Sequence, residues 1–91
     1  MSVKIISYDL GQPENSSDYQ DLIKYIKSLG DSCKPLESFW FVRTNKTCKA
    51  IRDEAKQYLD SNDRFFVAKW DVVDWAGLRM RNKCGDWLNS L

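Results

Sequence analysis

The sequence predicts a small α+β domain of βαββαβ order, the ferredoxin-like class, with two helices on one face of a four-stranded antiparallel sheet. Three observations predict it. The apolar residues switch between the alternation of a strand and the three-and-four spacing of a helix. Turn-forming residues separate these runs. The 91 residues leave room for a single core.

The first run, Val3 to Tyr8, puts Val3 and Ile5 on one face and Ile6 and Tyr8 on the other, so this strand is expected to be covered on both sides. Asp9 ends it, and Gly11-Gln12-Pro13-Glu14-Asn15 is a loop by turn chemistry. Ser17 and Gln20 have capping-box spacing, Tyr19, Leu22, Ile23, Ile26 and Leu29 recur helically, and Gly30 stands at the C′ position. Cys33 to Arg43 reads as strand, divided at an edge or bend by Pro35, with Phe39 and Phe41 opposite Trp40 and Val42. Thr44 or Asn45 would cap a second helix with Cys48, Ile51, Ala55, Tyr58 and Leu59 inward, closed by Asp60-Ser61-Asn62-Asp63. Arg64 to Trp70 alternates again, Phe66 and Ala68 opposing Phe65 and Val67. These elements make a core over residues 1–73. Residues 74–91 form an appendage in which Met80, Cys84, Trp87, Leu88 and Leu91 fall at helical spacing, predicting a short last helix despite Gly85.

Apolar and aromatic residues make up 43% of the chain, including four Trp, four Phe and four Tyr, a large supply for so small a volume. Helices cover only one sheet face, so the other is expected to meet a second copy. That places Trp40, Phe41, Trp70, Trp75 and Trp87 at a homodimer interface, with the appendage packing across it. The net charge of +1 excludes a strongly basic nucleic-acid binder, so any RNA or DNA site must come from local clustering. Cys33, Cys48 and Cys84 are odd in number and lack C-x-x-C spacing, which predicts neither a disulfide framework nor a zinc site and points to a reducing cytoplasm. Residues 1–9 lack the continuous apolar run of a signal segment, and no stretch is long enough to span a membrane.

Two basic clusters are candidates for a nucleic-acid backbone. Arg43, Lys46, Lys49, Arg52 and Lys56 run from a strand end along the second helix, though Asp53, Glu54 and Asp60 interleave with them and make a solvated, ion-paired face an adequate account. Arg79, Arg81 and Lys83 are offset nearby only by Asp86, and can be read as a phosphate contact or as a surface tether for the last helix. Asp71 and Asp74 follow a strand directly and read as a solvated turn. The sheet aromatics could stack on RNA bases, but packing on both sheet faces explains them equally.

A strand ending in Tyr8-Asp9, a helix closing on Leu29-Gly30, the run Leu36-Glu37-Ser38-Phe39-Trp40-Phe41-Val42, and a last strand followed by Trp75-Ala76-Gly77-Leu78 together resemble the small CRISPR-associated Cas-two proteins. They resemble more closely still the VapD toxins and the short bacterial proteins labelled SinR-like. The resemblance implies a homodimer in which Asp9 faces its twin, the two carboxylates holding a Mg2+ or Mn2+ ion that activates water against a phosphodiester of RNA or DNA. Leu10-Gly11-Gln12-Pro13 stands where catalytic members often carry further charged residues. Many relatives of the fold grip nucleic acid or a protein partner without cleaving, as assembly factors or toxin–antitoxin components. Asp9 can equally be a polar strand terminus that hydrogen-bonds the loop after it. Apart from any family, the chain contains no histidine, so cleavage at neutral pH would need a metal to supply hydroxide.

Overall fold

The computed structural model describes residues 2–91. Along the chain run β1 (Ser2–Asp9), α1 (Gln20–Ser28), β2 (Ser32–Leu36), β3 (Phe39–Thr44), α2 (Cys48–Ala55), β4 (Arg64–Trp70) and α3 (Cys84–Asn89). They form a small α+β domain in which the strands pair antiparallel throughout, in the order β2-β3-β1-β4. Since β1 and β2 both run against β3, they are parallel to each other with β3 between them. In the same way β3 and β4 flank β1. Helices α1 and α2 each make the long crossover that such a parallel pair requires.

Both helices cover one face. Ile6, Val42, Leu22, Ile26 and Ile51 are completely buried there, joined by Tyr8 of β1, Trp40 of β3, Ala55 of α2 and Tyr19 just before α1. Each such aliphatic side chain contributes about 1.5–3 kcal/mol by leaving water. The strand alternation read from the sequence assigns this face correctly in β1, β3 and β4.

Local details depart from the expected ones. No side chain caps α1; a 3-10 turn over Ser17–Tyr19 precedes it instead of a capping box, opened by the Tyr19 N–H donating to Ser16 O at 3.2 Å. Helix α2 is capped by Thr47, whose hydroxyl accepts the Ala50 N–H at 3.1 Å, because Thr44 is still paired in β3. The break between β2 and β3 is a two-residue turn at Glu37-Ser38, with Ser38 at φ 57°, while Pro35 lies inside edge strand β2, where a missing N–H is tolerated. Gly30 is fixed by contact. A Cβ there would sit 2.1 Å from the Arg43 carbonyl oxygen, so the chain can pass β3 at this point only without a side chain.

The largest departure is on the second face of the sheet. Expected to meet another copy, it is covered by the chain's own C-terminal segment. Val3 and Phe41 are buried there with Cys33, Cys84 and Leu88, and Ile5, Phe39, Trp70, Trp75, Met80 and Trp87 pack around them. Phe41 is the centre: its ring lies 5.2 Å from Trp70, 6.1 Å from Trp87 and, edge-on, 5.4 Å from Phe39. A disulfide between Cys33 of β2 and Cys84 of α3 closes this arrangement, leaving Cys48 as the free cysteine among the described residues. The expectation of three unpaired thiols fails because pairing follows proximity in space, and these two lie 51 residues apart in sequence with Cα atoms 5.8 Å apart.

Of the aromatics expected at an interface, Trp40 and Phe41 are buried at 5% and 6% exposure within the single chain, on opposite sheet faces, while Trp70, Trp75 and Trp87 pack against their own sheet and remain partly exposed. No helix among the described residues is long and apolar enough to cross a membrane.

Candidate nucleic-acid interface

The C-terminal segment also finishes the edge of the sheet. An edge strand leaves unpaired carbonyls, and two of those on β2 are taken by the segment: Arg81 N–H donates to Pro35 O at 2.9 Å, and the Asn82 side-chain amide donates to Lys34 O at 2.8 Å. With Cys84 bonded to Cys33 beside them, the loop before α3 is held against β2 at three successive points. Arg79, Arg81 and Lys83 project from this loop, all exposed. Among the described residues no carboxylate lies within ion-pair distance of any of them.

The other basic cluster is arranged differently. Lys46 is bound by both oxygens of Glu54, at 2.6 and 2.8 Å, and Arg52 pairs with Asp53 at 2.8 Å. Lys49 is exposed, and Arg43 stands at the end of β3 that pairs with Val3. Arg81 lies beside Pro35, toward the opposite end of the sheet, so the two clusters do not merge into one track. The ion-paired account of the α2 stripe holds for Lys46 and Arg52.

Beside the basic loop, a groove of about 820 Å³ runs between α1 and β2, bordered by Gln20, Lys27, Asp31, Lys34, Asn82 and Trp87. Three residues that line it, Glu14, Lys34 and Trp40, belong to a hydrogen-bonded chain that sequence reading did not find. Trp40 Nε1–H donates to the Tyr8 hydroxyl at 2.9 Å, the Tyr8 hydroxyl donates to Glu14, and Lys34 Nζ reaches the same Glu14 oxygen at 2.6 Å while lying over the Trp40 ring. Burial by itself would raise the Glu14 carboxyl, but the Lys34 ammonium and the Tyr8 hydroxyl outweigh it and hold the group below its ordinary value. Burial, reinforced by Glu14, pushes the Tyr8 phenol well above the usual tyrosine range. Partners 20 and 32 residues apart leave no mark in a sequence pattern.

Asp9 lies at the end of β1, exposed, across the ladder from Arg64. Its carboxylate makes no hydrogen bond to a described residue. The loop that Asp9 was expected to tie down is held by Asp63 instead, which accepts the Gly11 N–H at 2.8 Å, the Tyr19 hydroxyl at 2.7 Å and, through its other oxygen, the Asp60 N–H at 2.9 Å. Burial works to raise the Asp63 carboxyl, and these donors together lower it below its ordinary value. Among the described residues no three acidic, cysteine or histidine side chains gather where a metal ion could be held, so one chain supplies Asp9 alone toward such a site.

What the fold and the loop define is a small α+β domain with an exposed cationic loop, unpaired among the described residues, bonded to one sheet edge. No family model matches the chain, and no solved structure matches it.

Proposed function

We propose that this chain is a ferredoxin-like domain of the Cas-two and VapD kind that binds the phosphate backbone of RNA or DNA on its C-terminal basic loop and does not cleave it as a single copy. Support for the fold reading is the βαββαβ element order, with each of the first two helices bridging a parallel pair across an inserted strand. The observation that carries the binding reading is the set Arg79, Arg81 and Lys83: exposed, without acidic partners among the described residues, and on a loop pinned to β2. A loop backbone already fixed to the sheet loses little freedom on meeting a phosphate, and unpaired cations need not surrender a carboxylate first. A cytoplasmic location would give such a loop access to RNA and DNA.

Titrating labelled single-stranded RNA and duplex DNA at low salt tests the reading. Replacing Arg79, Arg81 and Lys83 together by Gln is expected to weaken binding about tenfold or more and to flatten the salt dependence by roughly two to three units of log–log slope. No binding by the unaltered chain at low salt would remove the nucleic-acid reading and leave a protein partner.

A second reading keeps the metal-dependent nuclease, and the free carboxylate of Asp9 favours it, since the structural task first assigned to that residue is performed by Asp63. It requires a homodimer that brings two Asp9 side chains onto one Mg2+ or Mn2+ ion. The capped sheet face does not offer that contact, so the copies would have to meet elsewhere or displace the C-terminal segment. Incubating labelled RNA and DNA with either ion tests it against Asp9→Ala. Cleavage unaffected by the substitution marks a contaminant.

A further inference from the structure

We infer that the Cys33–Cys84 disulfide is a reducible latch whose opening releases the C-terminal segment and uncovers the second face of the sheet while the rest of the domain stays folded. The two apolar clusters lie on opposite faces, and the one beneath α1 and α2 draws no residue from the segment after β4. That cluster, with its completely buried Ile6, Leu22, Ile26, Val42 and Ile51, keeps its contacts when the segment leaves. The segment has little order of its own. Residues 71–83 contain no helix or strand, and α3 is six residues long, too short to persist unsupported. Four residues of the irregular stretch, Val72, Arg79, Asn82 and Lys83, sit at φ 52° to 59°, in the left-handed region that a β-branched side chain such as Val72 strongly disfavours. Besides apolar packing, the segment is fastened by the disulfide and by the bonds of Arg81 and Asn82 to β2.

The two sulfurs differ in access. Cys84 is completely buried, whereas Cys33, at 7% exposure, borders the groove, which Lys27 of α1 also lines, a cation that attracts an anionic thiolate. A dithiol reductant entering the groove attacks Cys33 Sγ, breaking the bond to Cys84, which leaves as a thiolate and takes a proton. The second thiol of the reductant then attacks the mixed disulfide and frees Cys33 as a thiol. The protein gains two electrons and two protons, and the dithiol becomes a disulfide. A reducing compartment would favour the open form, and an oxidising one the closed form.

Hydrogen exchange read by mass spectrometry on the full-length chain tests this, before and after reduction with a small dithiol, with thiols counted by alkylation. On reduction, amides of residues 84–90 are expected to exchange at least a hundredfold faster, with those of 20–28 and 48–55 unchanged, and tryptophan emission is expected to move to longer wavelength. Reoxidation should restore both. The double variant Cys33→Ser, Cys84→Ser should match the reduced chain; if it does not fold, the reduction series on the unaltered chain still decides. Unchanged exchange in 84–90 after complete reduction would overturn the latch, as would acceleration of all three helices together or a bond that resists the dithiol while the chain is folded.

Discussion

Phe41 of β3 and Trp87 of α3 lie nearly parallel, their ring planes 11° apart and centroids separated by 6.1 Å. This contact joins the middle of the sheet to the C-terminal segment that covers its second face. Phe41→Ala removes the ring that also touches Trp70 and Phe39. It is expected to cost about 3–5 kcal/mol in urea-induced unfolding, the range for a buried Phe that leaves a cavity. Phe66, on the same face but 60% exposed, should lose under about 1 kcal/mol on the same change.

Gly30→Ala places a methyl group 2.1 Å from the Arg43 carbonyl oxygen, which is backbone in a central strand and cannot turn aside. A loss of roughly 2–4 kcal/mol is expected, visible as a lower urea midpoint. Gly77→Ala would meet only the flexible end of Met80 and should cost markedly less.

Stability is expected to fall in acid, and Asp63 to account for part of the fall. The folded chain holds this carboxyl below its ordinary value of 3.8, so the unfolded chain binds more protons in the interval between the two values. Its stabilising contribution is therefore complete above about pH 4 and is lost as the pH drops through the folded value. Urea midpoints measured from pH 6 down to pH 2.5 should fall less steeply for Asp63→Asn than for the unaltered chain, from a lower starting value. Glu14, held down by Lys34 and Tyr8, adds in the same direction.

The two basic clusters are expected to respond differently to charge removal. Lys46 is already engaged by Glu54, so Lys46→Gln should change affinity for nucleic acid by less than about twofold. Arg81→Gln, on a residue without an acidic partner among those described, should weaken binding by about threefold or more at low salt and reduce the salt slope by about one unit. Fluorescence anisotropy with a labelled oligonucleotide over a salt series measures both.

The sequence alone determined which residues alternate and which recur helically, and through that the order of elements and the face each side chain takes. Phe39 and Phe41 opposite Trp40 and Val42 is the clearest case, because a strand's twofold period leaves no other arrangement. Local signals were weaker guides where two residues could serve: the α2 cap went to Thr47 because the ladder kept Thr44, a competition settled by strand register. Only the tertiary structure decided what covers the second face, which cysteines meet, and that Asp63 rather than Asp9 holds the loop after β1. Periodicity reports which way a side chain points relative to its neighbours along the chain. It carries no information about which distant segment arrives to cover it, since that depends on how far the chain can reach and on the closing of contacts across 50 or so residues.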